Sequence, residues 1–167
     1  MIRRTFSEER YAGCMFKHII VPIDGSDFSL QAVDLAASLA KEQGANCTVF
    51  MVVDIVQAAA LASATPDLVN AWFKTLEEQA EAAVSAAVSR MRSAGVEANG
   101  EIAEGYPPDL IMDVAKRNQA DLIVMGSHGR SGLKRLFLGS VAESVLRTSL
   151  IPVLIVRGLE RKAVKAA

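Results

Sequence analysis

With 167 residues, 51% of them hydrophobic and 22% charged, the chain has the size and composition of one globular domain that buries its core without disulfides or metal. A formal net charge of -1 excludes a global electrostatic pull towards nucleic acid or anionic membrane, so any anion site must be local. Two cysteines, Cys14 and Cys47, suggest neither a disulfide framework nor a zinc site, no apolar run reaches the roughly 20 residues of a membrane helix, and the first residues lack a signal-peptide core; a soluble cytoplasmic protein is expected.

Residues 1–15 form a mixed polar stretch without period and read as a flexible extension, with Met15 an alternative start directly before the first strand pattern. His18 to Ile23 is a short apolar run rich in β-branched residues, the pattern of a strand covered on both faces. Pro22 removes a ladder donor and is placed at that strand's C-terminal end. Ser26 caps a helix whose apolar face is Phe28, Ala32, Leu35 and Leu39, and Gly44 closes it. Cys47 to Val53 is a second core strand, with Cys47 a small buried hydrophobe. Thr65 and Pro66 open a long helix with Trp72, Leu76, Val84, Val88 and Met91 on one face, a stripe read as core or interface rather than a cofactor site, and Gly95 ends it.

Val96 to Ala103 alternates and carries charge, as an edge strand does. Pro107 and Pro108 start a third helix carrying Leu110 and Val114. Leu122 to Met125 is a fourth strand. Ser140 with Glu143 three residues later has the form of a capping box leading into Val141, Val145 and Leu146, and Val153 to Val156, again a continuous apolar run, reads as a last strand covered on both faces. Residues 158–167 read as a flexible tail, leaving 16–157 as the domain. Alternation of strands and helices predicts a doubly wound α/β domain, a parallel sheet with helices on both faces, because parallel neighbours need crossovers.

Ligands of such sheets bind beyond the carboxyl ends of the strands, where crossovers switch faces. Two segments leave strands there: Asp24-Gly25-Ser26, and the stretch from Gly126 to Ser140 with glycines at 126, 129, 132 and 139. Glycines let main-chain N–H groups approach anionic oxygens, and the helix beginning at Gly139-Ser140 offers its unpaired N–H groups and positive dipole end. Arg130, Lys134 and Arg135 add local positive charge. Polyphosphate binding is the chemistry this pattern suits.

The spacing Gly126-x2-Gly129-x9-Gly139-Ser140 resembles the nucleotide-binding signature of the universal stress protein family, and Phe16 to Ser26, Asp121 to Gly129 and Ile151 to Val156 resemble its first, fourth and last strands. The resemblance implies a Rossmann-like, adenine nucleotide-binding fold of five parallel strands ordered 3-2-1-4-5. It implies ATP as ligand, with Pro22, Ile23 and Asp24 at the nucleoside end, the Val53 backbone at the adenine edge and Met125 beside the base. Gly126, His128, Gly129, Arg130, Gly139, Ser140 and Val141 would surround the phosphates. It also implies a two-fold homodimer through the strand from Pro152 to Val156. Mg²⁺ or Mn²⁺ is expected to accompany ATP through phosphates and water, since no carboxylate cluster suggests a metal cage.

Simpler readings stand beside these. Asp24 is either a ribose ligand or a turn-forming partner of Ser26. His128 is a polar loop residue or a phosphate contact before it is an acid or base, and Glu143 a capping residue before it activates water. An ATP-dependent regulatory module in stress tolerance is the leading function. A slow ATPase or autophosphorylating enzyme, and a nucleotide-free dimeric interaction protein, are the alternatives. The sequence holds no Gly-x4-Gly-Lys-Ser/Thr loop, no Ser-Gly-Gly-x-Asp-Ser loop and no His-x-Gly-His pattern.

Overall fold

The structure is a computed structural model and describes residues 15–54, 66–129 and 138–157. The sequence readings of the N-terminal extension, Cys14, Thr65, Arg130, Gly132, Lys134, Arg135 and the C-terminal tail lie outside these residues. In chain order the elements are β1 (His18–Ile23), α1 (Asp27–Gln43), β2 (Asn46–Val53), α2 (Pro66–Ser93), β3 (Ala98–Glu104), α3 (Pro107–Arg117), β4 (Leu122–Gly126), α4 (Ser140–Thr148) and β5 (Val153–Val156). All four strand pairings are parallel and the order is β3-β2-β1-β4-β5. The fold is a doubly wound α/β sheet.

Strand periodicity divides the apolar residues between two cores. Ile19, Val21, Cys47, Val49, Met51, Leu122 and Val124 face α1 and α2, whereas Ile20, Phe50, Ile123 and Met125 face α3 and α4. Burial pushes the Cys47 thiol up to about 12, which suits a small hydrophobe in the first core.

Helix α1 starts and stops as its sequence predicts. Ser26 accepts from the Ser29 N–H at 3.2 Å, and Gly44 takes a left-handed conformation with its N–H on the Ala40 carbonyl. Its inward face differs from the expected one. Ser29, Ala32, Val33, Ala36, Ala37 and Ala40 are buried, while Leu35 is 39% exposed and Leu39 only partly covered. Small side chains face the sheet because the helix lies close to it, and the leucines flank that contact. In α2 the stripe is core from Ala80 through Val84, Val88 and Met91, but Trp72 and Leu76 are not fully buried. The last helix corrects the capping box: Gly139 is its N-cap, no side chain caps it, and Glu143 pairs with Arg147 at 2.8 Å.

Pro22 sits inside the middle strand of the sheet, and backbone direction explains why it is tolerated. The Lys17 carbonyl accepts from Asn46 on β2 and the His18 carbonyl accepts from Asp121 next to β4, so even-numbered residues of β1 face β4. Pro22 therefore lacks its N–H on the β4 side, where the pairing of the two strands has already ended at Ile20 and Ile123. The two central strands part at that point.

Candidate functional site

Beyond Pro22 the crossover from β1 leads to α1 on one face of the sheet and that from β4 leads to α4 on the other. This is the topological switch point of the sheet, where a crevice is forced open. A cavity of about 550 Å³ lies there. Pro22, Ile23 and Asp24 line it from the end of β1, and Val53 from the end of β2. Met125, Gly126, His128 and Gly129 line it from β4 and the turn beyond, and Gly139, Ser140 and Val141 from the start of α4. Every site residue expected from the sequence that lies among the described residues lines this one cavity.

Of the two things a glycine can offer, unusual backbone geometry and close approach, the described signature glycines use the second. Positive φ among the described glycines occurs at Gly25, Gly44, Gly95 and Gly105, not at Gly126, Gly129 or Gly139. What these three provide is room. A Cβ on Gly126 would stand 3.0 Å from the Phe28 carbonyl carbon, so that glycine lets α1 approach β4. A Cβ on Gly129 would stand 2.7 Å from Asp24 Oδ2, and one on Gly139 would stand 3.3 Å from the Ser127 oxygen. The turn after β4 is pinned by backbone bonds, with the Ser127 N–H on the Val156 carbonyl at 2.9 Å and the Gly139 N–H on the Ser127 carbonyl at 2.8 Å.

Asp24 fulfils its simpler reading: Oδ1 accepts from the Ser26 N–H at 3.0 Å and from its hydroxyl at 2.6 Å. The same residue presents Oδ2 towards Gly129, and both residues line the cavity. Gly25 between them has φ 79°, a turn geometry that favours glycine. The Val53 carbonyl accepts from the Gly105 N–H at 3.1 Å, which engages one of its two lone pairs.

His128 is held on two sides. Its Nδ1 shares a 2.9 Å hydrogen bond with the Ser127 hydroxyl, and its ring tilts against Phe28 with centroids 5.5 Å apart. Its Nε2 is buried with no hydrogen-bond partner among the described residues. An unsatisfied buried polar atom costs about 1–3 kcal/mol, which a fold retains where the atom has another use.

Several lining residues were not assigned to the site from sequence, and two of them, Trp72 and Leu76, were read there as core or interface. Trp72, Leu76 and Gln79 come from α2, Asp54 follows β2, and Pro107 and Ile111 come from the start of α3. Their helical or strand-end positions carry no motif, and only the fold brings them to the crevice. Among the described residues no group of three or more His, Cys, Asp or Glu is arranged to hold a metal ion.

The profile of the Universal stress protein family matches residues 15–157. The chain belongs to the universal stress protein family. Universal stress protein MJ0531 of Methanocaldococcus jannaschii is 38% identical over 144 residues, covering 86% of this chain and 83% of that protein. Protein MJ0577 of the same organism has a solved structure with a TM-score of 0.76 and 27% identity, covering 87% of this chain and 98% of that one. Two further members were solved with adenine nucleotides. A universal stress protein in complex with cAMP superposes with TM-score 0.61 and 29% identity, covering 85% of this chain and 97% of its own. One from Archaeoglobus fulgidus in complex with dAMP gives 0.62 and 25%, covering 84% and 97%. Among the described residues no helix is long and apolar enough to cross a membrane.

Proposed function

We propose that this universal stress protein binds ATP in the cavity at the parting of β1 and β4 and serves as a nucleotide-dependent regulatory module in stress tolerance. The observation that carries the reading is the two-ended character of that cavity. One end is bounded by Gly129, Gly139 and the first turn of α4, whose backbone N–H groups have no side-chain cap and suit phosphate. The other is bounded by Met51, Val53 and Met125, apolar groups that suit a base. A volume of about 550 Å³ is in the range of small-molecule sites. Complexes of two relatives with cAMP and dAMP support an adenine nucleotide as the class.

The residues fit such a ligand. Asp24 lines the cavity beside Gly129 with a carboxylate whose chemistry suits ribose hydroxyls, and the buried Nε2 of His128 gains a partner if a phosphate oxygen or a water reaches it. Adding Cβ atoms at Gly129 or Gly139 would fill the space between these groups. Arg130, Lys134 and Arg135 in the intervening sequence favour a triphosphate over a monophosphate. A Mg²⁺ or Mn²⁺ ion would be held through phosphates and water. An enzymatic reading gains nothing from Glu143, whose carboxylate is exposed and paired with Arg147. Identification of the small molecules released on denaturing purified protein, with calorimetric titration of ATP, tests the proposal. Retained or tightly bound ATP without turnover is expected; protein that neither carries nor binds an adenine nucleotide would refute it.

For assembly we propose a two-fold homodimer through β5. The carbonyls of Pro152 and Val156 accept from Ile123 and Ser127 on the β4 side, so the backbone groups of Val153 and Ile155 point outward along the sheet edge. Leu150 is 98% exposed and Leu146 44% exposed close by in sequence, apolar surface that a second copy would cover. Ile155→Pro removes an outward N–H at a position where an edge strand tolerates proline. Sedimentation should give a wild-type dimer and a folded monomeric variant, and a dimer indifferent to this change would place the contact elsewhere.

A further inference from the structure

The cavity has a wall that the nucleotide signature does not include. Trp72, Leu76 and Gln79 are spaced by four and three residues, hence lie on one face of α2, and all three line the cavity. Along the same stripe Ala80, Val84 and Met91 are buried in the core. The stripe therefore runs from the core to the crevice, where the first turns of α2 stand beside the end of β2. Leu76 packs against the core and fixes the helix there. Trp72, one turn earlier, is partly exposed, and its ring meets that of Phe73 edge-on at 5.8 Å and 69°.

We propose that Trp72 is the nucleobase platform of this cavity: a purine lies against the indole beside Val53, with the phosphates at Gly129, Gly139 and the start of α4. This rests on the nucleotide reading above and adds a positioning residue to it. A large aromatic left partly exposed at a cavity wall gains from a flat apolar partner, and a base supplies one. Stacking of this kind rewards ring area and is tolerant of base identity, so ATP and GTP gain from it more than CTP. It acts on the base alone, so it has no effect on a ligand that carries only phosphates.

The chain contains one tryptophan, so intrinsic emission reports on this position alone. The full chain is titrated with ATP and with inorganic tripolyphosphate, by calorimetry and by tryptophan emission. ATP should change the emission and tripolyphosphate should not. Trp72→Ala should weaken ATP about tenfold while leaving tripolyphosphate unchanged, and Trp72→Phe should restore most of the loss. Thermal melts establish that the variants fold; should Trp72→Ala not, Trp72→Phe and the wild-type emission decide the matter. ATP binding with unchanged emission and unchanged affinity in Trp72→Ala overturns the platform and leaves the nucleotide function standing. Equal losses for both ligands show a structural role and overturn it too. A wild-type protein that binds no nucleotide overturns both.

Discussion

The two ends of the sheet are built from the same strands and behave oppositely. At the N-terminal end side chains close the gaps: Asp121 accepts from the N–H groups of Lys17 at 2.8 Å and His18 at 3.3 Å, and the His18 ring shares a 2.9 Å bond with the Thr48 hydroxyl. At the C-terminal end β1 and β4 part at Pro22, their crossovers leave to opposite faces, and a cavity of about 550 Å³ results. There Nε2 of His128 stays unsatisfied among the described residues. One end is closed by side-chain hydrogen bonds and the other is left open as a crevice, and the topology decides which is which.

Substitutions at the two ends should therefore separate binding from folding. The largest effect is expected at Gly129, where valine places a branched side chain beside Asp24 Oδ2 in the cavity. Gly129→Val should lower ATP affinity by about a hundredfold or more, equivalent to at least ~2.7 kcal/mol, with the melting temperature little changed. Calorimetry on the folded variant measures this, and undiminished affinity would remove the loop from the site.

Next comes Gly126, at the border between the two behaviours. Gly126→Ala sets a Cβ 3.0 Å from the backbone of Phe28, and α1 must shift to accept it. Overpacking of this kind costs about 1–3 kcal/mol, and because α1 carries the turn from Asp24 to Ser26, nucleotide affinity should fall with it. Denaturant unfolding together with ATP titration would show both losses; a variant as stable as wild type would show that the contact is slack.

The smallest effect belongs to the closed end. Asp121→Ala leaves the Lys17 and His18 N–H groups without their carboxylate, and a loss of about 1–2 kcal/mol in unfolding free energy is expected. ATP affinity should not change, since the site lies at the other end of the strands. A matching fall in affinity would mean that the two ends are coupled through β1 and β4 and would blunt the comparison.

Much of this arrangement was legible in the sequence because it depends on local rules. Continuous β-branched runs gave the buried strands β1, β2 and β4, although the same pattern in β5 belongs to a partly covered edge strand; Ser26 and Gly44 gave the ends of α1, and paired prolines gave the start of α3. The glycine spacing led to the cavity, since strand ends and helix starts are set by neighbours in the chain. Less legible was anything that depends on how closely elements approach. Leu35 is in register with Ala32 on a helical wheel, yet the sheet accepts the alanines and Val33 and leaves the leucine partly outside. Ser140 and Glu143 have the spacing of a capping box, but the helix begins one residue earlier in function, with Gly139 as its cap and Glu143 turned to Arg147.

By itself the sequence determined the order and type of the elements, the two-faced burial of the central strands and the placing of a glycine-rich turn after the fourth strand, because each follows from periodicity or from the conformational range of single residues. The tertiary structure alone decided why those glycines are glycines and which other residues join them. Gly126 is needed because Phe28, 98 positions earlier, lies against it, and Gly129 because Asp24 does. Trp72 and Leu76 reach the cavity because their helix overruns the end of the sheet, and how far a helix overruns the strands it packs on is a property of the assembled layers, not of the helix's own residues.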